Sequence, residues 1–309
     1  MPLLRLLRPW QWVKSLFVLL GPLYGLRDML PASRPAALHN ALLAAAVFAL
    51  ASSACYVFND LRDARTDKAH PRKAKRPIPS GAVSPGLATV VMVLCWLAAG
   101  GVALFLPEAL RPQVLIVVSL YVLNVVAYSL YFKHAVIADV VSLSLGFVLR
   151  VVGGCFAAGI SPTTWLLNCT LFVAMFLAFG KRLGERRTAQ AQGYDAADAR
   201  SVQGKYTDTL LRMAVVVTAV AALLSYAGYV QARESEFQFA LGSVPAGFNW
   251  MWLSIVPAAF VVLRAMVVLE KGVYDDPTEV ALGDRPVQAG LLAFVALSGA
   301  VIWYKLSLV

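Results

Sequence analysis

Charge is scarce in this chain. Only 14% of its 309 residues are Asp, Glu, Lys or Arg, while 60% are hydrophobic. With a mean hydropathy of +0.70, that excludes an ordinary soluble domain with a polar surface. Histidine occurs three times and cysteine four times. His39, His70 and His134 are scattered, so no histidine metal site can be assembled from them. Cys55, Cys95, Cys155 and Cys169 all fall in apolar stretches without a Cys-x-x-Cys spacing, which argues against a zinc or dithiol centre and leaves the thiols as small core residues. Met1 to Lys14 lacks the charged, then apolar, then small-residue order of a cleavable signal peptide, so none is expected. Acids are the rarer sign, 17 against 27 bases, for a net charge of +10. No basic-aromatic strip or recognition helix accompanies that excess. Nucleic acid is therefore not an expected partner, and anionic lipid headgroups and anionic substrates are.

What the chain has in abundance is long apolar runs. Crossing a bilayer as helix takes about 20 residues. Such runs lie near 12–30, 37–58, 86–106, 113–132, 135–158, 163–180, 209–231, 248–270 and 287–307. They predict an all-α integral membrane protein, a bundle of nine transmembrane helices. The first run is interrupted by Lys14, Pro22 and Arg27 and is compatible with a partly interfacial placement. On this topology Arg27, Arg34, Arg111, Arg233 and Lys305 fall on one side, and Arg150 and Arg264 fall inside helices. All other Lys and Arg fall on the opposite side, which should be the cytoplasmic one.

The densest charge cluster runs from Asn59 to Gly81. If the apolar helix before it continues, Asn59, Asp60, Asp63 and Asp67 gather near one helix face. Crowded carboxylates repel, and a divalent cation would relieve them. Mg²⁺ in particular takes one or two carboxylates and fills its shell with water and substrate phosphate oxygens. Arg62, Arg65, Lys68, Arg72, Lys73, Lys75 and Arg76 supply cations for those phosphates. A loop that only fixes topology would need the cations but not the spaced acids. Pro77, Pro79 and Gly81 are expected to stop the helix and turn the chain.

Other polar groups stand out against the oil. Arg8-Pro9-Trp10-Gln11-Trp12-Val13-Lys14 reads equally as an interfacial anchor or as part of a site. Asn124, Tyr128 and Tyr131 form an i, i+4, i+7 stripe ahead of Lys133 and His134, either interfacial or facing substrate. Asp139 and Arg150 sit on one predicted helix, roughly 16 Å apart by helical rise, so each must face the bundle interior or a cavity. Gly146, Gly153, Gly154 and Gly159 on that helix favour close packing. A second charged loop runs from Gly180-Lys181-Arg182 through Tyr194, Asp195 and Asp198 to Lys205-Tyr206, basic where the first is mixed, and suited to phosphate. Arg186 and Arg187 in it are assigned to topology. Asp275, Asp276, Glu279 and Asp284 bring further acids to the same side.

These motifs carry a family resemblance. N-D-x-x-D-x-x-x-D at Asn59 to Asp67 after the second of nine helices resembles the UbiA superfamily of intramembrane prenyltransferases. The match narrows through R-P-x-Q-W-x-K at Arg8 to Lys14, D-x-x-H-P-x-K-x-x-R-P-I at Asp67 to Ile78 and Y-S-x-x-x-K-H at Tyr128 to His134. It continues through G-F-V-L-R-V at Gly146 to Val151, F-G-K-R at Phe179 to Arg182 and P-x-E-x-x-L-x-D-R at Pro277 to Arg285. Together these are similar to the decaprenyl-phosphate phosphoribosyltransferase branch. Other members of the superfamily carry a second Asp-rich motif where this chain has Lys181 and Arg182, so an isoprenyl diphosphate donor is not expected.

The resemblance implies one membrane-embedded catalytic domain over 1–309, with its active site at the cytoplasmic face on loops 59–81, 180–208 and 271–286. It implies transfer of the 5-phosphoribosyl group from phosphoribosyl pyrophosphate to a polyprenyl phosphate, a step toward arabinofuranose for cell-envelope glycans. Asn59, Asp60, Asp63 and Asp67 would hold Mg²⁺ and pyrophosphate. Lys14, Lys73, Arg76, Lys133, Lys181 and Arg182 would bind phosphate groups or substrate, with Tyr128, Asp139 and Tyr206 shaping the pocket and Asp60, Asp63 and Lys181 closest to the chemistry. The attacking lipid phosphate is already an anion, so positioning and electrostatics suffice without a nucleophile-histidine pair. Two alternatives stand beside this reading: a conventional prenyltransferase, and a transporter or lipid-binding protein, although no internal repeat supports the latter. A homo-oligomer is left open.

Overall fold

The computed structural model describes residues 2–25, 29–68, 73–192, 201–240, 247–272 and 277–307. His70, Arg72, Tyr194, Asp195, Asp198, Asp275 and Asp276 lie outside the described residues. The helices are α1 Pro2–Leu7, α2 Leu20–Gly25, α3 Arg34–Lys68, α4 Pro85–Ala103, α5 Arg111–Leu130 and α6 Ala138–Ala157. They continue with α7 Thr164–Gln192, α8 Asp208–Ala232, α9 Glu234–Phe237, α10 Ile255–Glu270, α11 Pro277–Gly283 and α12 Arg285–Ser307. No strand occurs among the described residues beyond an isolated bridge between Gln238 and Asn249. Starts are locally encoded. Ser84 accepts from the Leu87 N–H with Pro85 behind it, and Thr207 accepts from Leu210, side-chain caps that satisfy first-turn donors.

Eight helices among the described residues are long and apolar enough to cross a membrane, not the nine expected. The run at 12–30 is instead a 3₁₀ segment, Pro9–Leu19, followed by the six-residue α2. Proline explains part of this. Pro22 has no N–H to give the Val18 carbonyl four residues back. That carbonyl lies against Gly154, where an added Cβ would stand 1.7 Å from it. The segment still runs antiparallel along α3, with Arg8 beside Asp60, Trp12 bonded to Ser53, and Val18 packed with Ala44, Val47 and Phe48.

The chain forms two compact units, Met1–Lys133 with Leu145–Thr163, and His134–Ser144 with Thr164–Val309. In the first, α3 packs against α4, α5 and the 3₁₀ segment. Its run of Ala and Ser lets neighbours approach closely, the packing that holds helices together where lipid offers no hydrophobic drive. Leu6, Val57, Ile78, Val83 and Ala88 form a separate cluster that seats both α1 and the chain after α3 beside the charged end of that helix.

In the second unit α7 packs on α8, and α10 on α12. Phe176, Phe179, Leu183, Leu211, Val215 and Leu269 enclose Tyr206.

Candidate active site

In the first unit α3 does continue through the charged stretch, to Lys68, which puts Asp60, Asp63 and Asp67 in its last turns. The turn with Gly81 at φ +78 comes only after the short 3₁₀ turn Lys73–Lys75. Each acid meets a cation. Arg8 Nη2 donates to both carboxylate oxygens of Asp60, at 2.7 and 2.8 Å. Arg76 Nη1 donates to Asp60 Oδ1 at 3.1 Å and to Asp67 Oδ2 at 2.7 Å. Lys133 Nζ donates to Asp63 Oδ1 at 2.6 Å. Asp60 is 1% exposed and Asp67 4%, so these pairs sit where water screens weakly. Arg8 also stands 5.2 Å from the centre of the Tyr56 ring.

The crowding of acids is thus offset by Arg8, Arg76 and Lys133, and not by a metal alone as the sequence suggested. Of these, Arg8 was read there only as part of an entry segment. Its signal was present in the Arg-Pro start of the motif, but its partner was not, because it lies 52 positions away. Arg76 and Lys133, expected on phosphate, rest on carboxylates.

The donor set suits a hard divalent cation. The acids offer oxygen only, Asp63 Oδ2 and Asp67 Oδ1 take no hydrogen bond from a described residue, and Mg²⁺ asks for one or two carboxylates with phosphate completing the shell. No three His, Cys, Asp or Glu among the described residues converge into a ready-made cage.

The other expected residues of this unit differ in exposure. Lys14 is exposed, whereas Lys73, Asn124 and Tyr128 are half-buried. Tyr131 is 69% exposed beyond the end of α5. The polar stripe therefore divides, its first two members inward and its third outward.

The second unit holds a different cluster. Arg182, 1% exposed, donates from Nε to Asp139 Oδ2 at 3.1 Å, and Asp139 is fully buried. The Tyr206 hydroxyl donates to Asp139 Oδ1 at 2.5 Å and accepts the Ile137 N–H at 2.8 Å. Ile137 has φ +69, a costly conformation for a β-branched residue, held by that bond. Burial first, and then the bond to Asp139, push the Tyr206 hydroxyl well above the usual phenol range, so it stays a donor. Gln203 ties the Arg182 carbonyl to Glu185. Arg182 and Tyr206, placed by sequence at the substrate, are here bound to Asp139. Lys181 beside them is half-buried.

Arg186 and Arg187 do more than set topology. Arg186 pairs with Asp208 and donates to the Gln203 and Tyr206 carbonyls at 3.1 and 3.0 Å. Arg187 bridges Asp208 and Glu270, at 2.7 and 3.0 Å. They fasten the end of α7 to the starting turn of α8 and the end of α10.

Eight membrane-length helices among the described residues, with carboxylate–cation clusters near their ends, define an all-α integral membrane protein. The chain belongs to the UbiA prenyltransferase family, whose model matches residues 18–282. It is 31% identical over 304 residues to the decaprenyl-phosphate phosphoribosyltransferase of Mycolicibacterium smegmatis, covering 98% of this chain and 93% of the relative. It is 33% identical to the one from Corynebacterium glutamicum, covering 95% and 84%. Among solved structures, a UbiA homolog from Archaeoglobus fulgidus bound to DMAPP and Mg²⁺ aligns with a TM-score of 0.67 at 17% identity, over 98% of this chain and 99% of that one, a likeness of fold.

Proposed function

We propose that this protein transfers the 5-phosphoribosyl group from phosphoribosyl pyrophosphate to a polyprenyl phosphate, releasing pyrophosphate. One observation carries the reading: near-end-to-end identity of 31 to 33% with proteins named decaprenyl-phosphate phosphoribosyltransferase. It is supported by the cations Lys181 and Arg182 at the place where an isoprenyl-diphosphate enzyme of the family would carry acids.

In the reaction a lipid phosphate oxygen bonds to the ribose anomeric carbon as the bond from that carbon to pyrophosphate breaks. The electron pair leaves with pyrophosphate. The nucleophile is already ionised, so no side chain takes a proton. Asn59, Asp60, Asp63 and Asp67 are assigned to Mg²⁺ and the pyrophosphate it accompanies. When bound, the metal supplies charge stabilisation for the leaving group. Arg76 and Lys133, seated on those carboxylates, are the cations able to turn to phosphate oxygens as charge develops. Arg8 holds Asp60 in place throughout. Lys181, with Lys14 and Lys73, is assigned to substrate phosphate, and Tyr128 to the substrate pocket. Asp139 and Tyr206 position Arg182 in this reading. The chain works as one catalytic domain in the cell membrane, with the reaction at the cytoplasmic face, where phosphoribosyl pyrophosphate is found.

A donor competition tests the proposal. Purified protein with polyprenyl phosphate is offered phosphoribosyl pyrophosphate and an isoprenyl diphosphate together, and consumption of the first alone is expected. Consumption of the isoprenyl diphosphate alone returns the protein to conventional prenyl transfer.

A further inference from the structure

One buried cation takes no part in the scheme above. Arg150, 4% exposed on α6, donates from Nη1 to the Gly146 carbonyl at 2.9 Å. From Nη2 it donates to Ser52 Oγ at 2.9 Å and to the Tyr121 hydroxyl at 2.8 Å. Its guanidinium carbon lies 4.5 Å from the centre of the Tyr121 ring. All of these partners are neutral. Its Nε is buried without a hydrogen-bond partner. A guanidinium does not deprotonate in proteins, and a buried charge with no counter-ion is strongly unfavourable. Within a membrane such a group marks a place where an anion comes.

The geometry points to Arg150 as the anchor of a subsite for a phosphate monoester, with the Tyr121 hydroxyl beside it. The phosphoribosyl-transfer reading supplies the ligand class, and the contacts of Arg150 supply the place. Ser52, which Arg150 grips, lies two turns before Asp60 on α3, about 12 Å along the axis. Substrates gathered between those points therefore need negative charge at two separated positions. Phosphoribosyl transfer provides it twice over, through the donor's 5-phosphate and through the phosphate of the acceptor lipid, whereas an isoprenyl diphosphate has charge at one end only. Ser52 gives its own proton to the Phe48 carbonyl at 2.6 Å. The Tyr121 proton, which the Ser52 oxygen 3.0 Å away can accept, is thereby the one that can turn to an incoming oxygen.

Full-length protein in lipid nanodiscs tests this by titration with ribose 5-phosphate in one arm and decaprenyl phosphate in the other. Wild type, Arg150→Met and Arg150→Lys are compared, with thermal unfolding in parallel. The wild type should bind in at least one arm, and both variants should lose at least about tenfold in affinity there, as expected for a charge-assisted contact. The arm that weakens names the source of the phosphate. Without ligand, Arg150→Met should unfold no lower than the wild type, because the uncompensated charge is gone. If that variant is not recovered folded, the Lys variant alone decides. Unchanged affinities in both arms, or no binding by the wild type, overturn the subsite and leave Arg150 as a clamp between helices. Arg150-dependent binding without phosphoribosyl transfer would sink the reaction and spare the subsite. Transfer with unaltered affinities in Arg150→Met would do the reverse.

Discussion

Arg8 and Asp60, fifty-two positions apart, meet through one guanidinium nitrogen set between both carboxylate oxygens. Arg8 reaches that position from a left-handed backbone conformation, φ +52, at the entry to the 3₁₀ segment. Removing it leaves a buried carboxylate with Arg76 as its remaining cation. Arg8→Ala should therefore lower activity by at least about tenfold and destabilise the protein by about 3 kcal/mol, the scale for breaking a buried ion pair. Arg8→Lys should recover only part, since an ammonium is a point charge without the planar fork. Turnover and thermal unfolding measured together check this, and wild-type values for both in Arg8→Ala would contradict it.

Chelation should separate function from folding. Because Arg8, Arg76 and Lys133 already neutralise the acids, removing divalent cations is expected to abolish turnover while the unfolding temperature stays close to its starting value. Asp63→Asn should behave similarly, turning over far more slowly in saturating Mg²⁺ yet remaining folded. Persistent turnover in chelator would remove the metal from the reaction.

Neighbouring residues 181 and 182 should respond differently. Arg182 is locked against fully buried Asp139, so Arg182→Ala should cost about 3–5 kcal/mol of stability. Lys181→Ala, assigned to substrate phosphate, should cut transfer by roughly tenfold or more with little effect on unfolding. Denaturation curves beside initial rates resolve the two. Equal stability losses would place Lys181 in the scaffold.

Arg186→Ala should destabilise the protein by about 1–3 kcal/mol, because it strands two carbonyls and leaves the Asp208 carboxylate with Arg187 alone. From sequence alone this residue belongs to topology and its loss would be harmless. An unchanged unfolding curve would favour that simpler view.

The alkaline limb of stability should carry the mark of Tyr206. Its hydroxyl is held protonated in the fold, so the folded state binds this proton more tightly than the unfolded chain does. The contribution is complete below the ordinary tyrosine range near pH 10 and declines as pH rises above it. Tyr206→Phe, lacking the titrating group, should flatten that decline. An unchanged slope between the two proteins at high pH would count against it.

How far the sequence could be read depends on how local each feature is. The acids at 60, 63 and 67 were legible because one helix carries them all, and helix continuation is a short-range property. The partners of those acids were not, since Arg8 and Lys133 arrive from 52 and 70 positions away along paths set by packing. Asp139 and Arg150 stood out as charge in oil and Arg182 as part of a basic loop, yet hydropathy could not say that 139 and 182 pair while 150 meets no acid among the described residues. The segment at 12–30 looked like any other apolar run by composition. Pro22 hinted at its irregular course, but the carbonyl contact with Gly154 that accommodates it is tertiary.

The most direct measurement of the central claim is product analysis of a single reaction: purified protein in lipid, phosphoribosyl pyrophosphate labelled in the ribose, and decaprenyl phosphate. The account predicts label in the organic-extractable lipid, a mass gain equal to one phosphoribosyl group, and one pyrophosphate released per lipid modified. Label that stays in the aqueous phase while an isoprenyl diphosphate is consumed in a parallel reaction would contradict it.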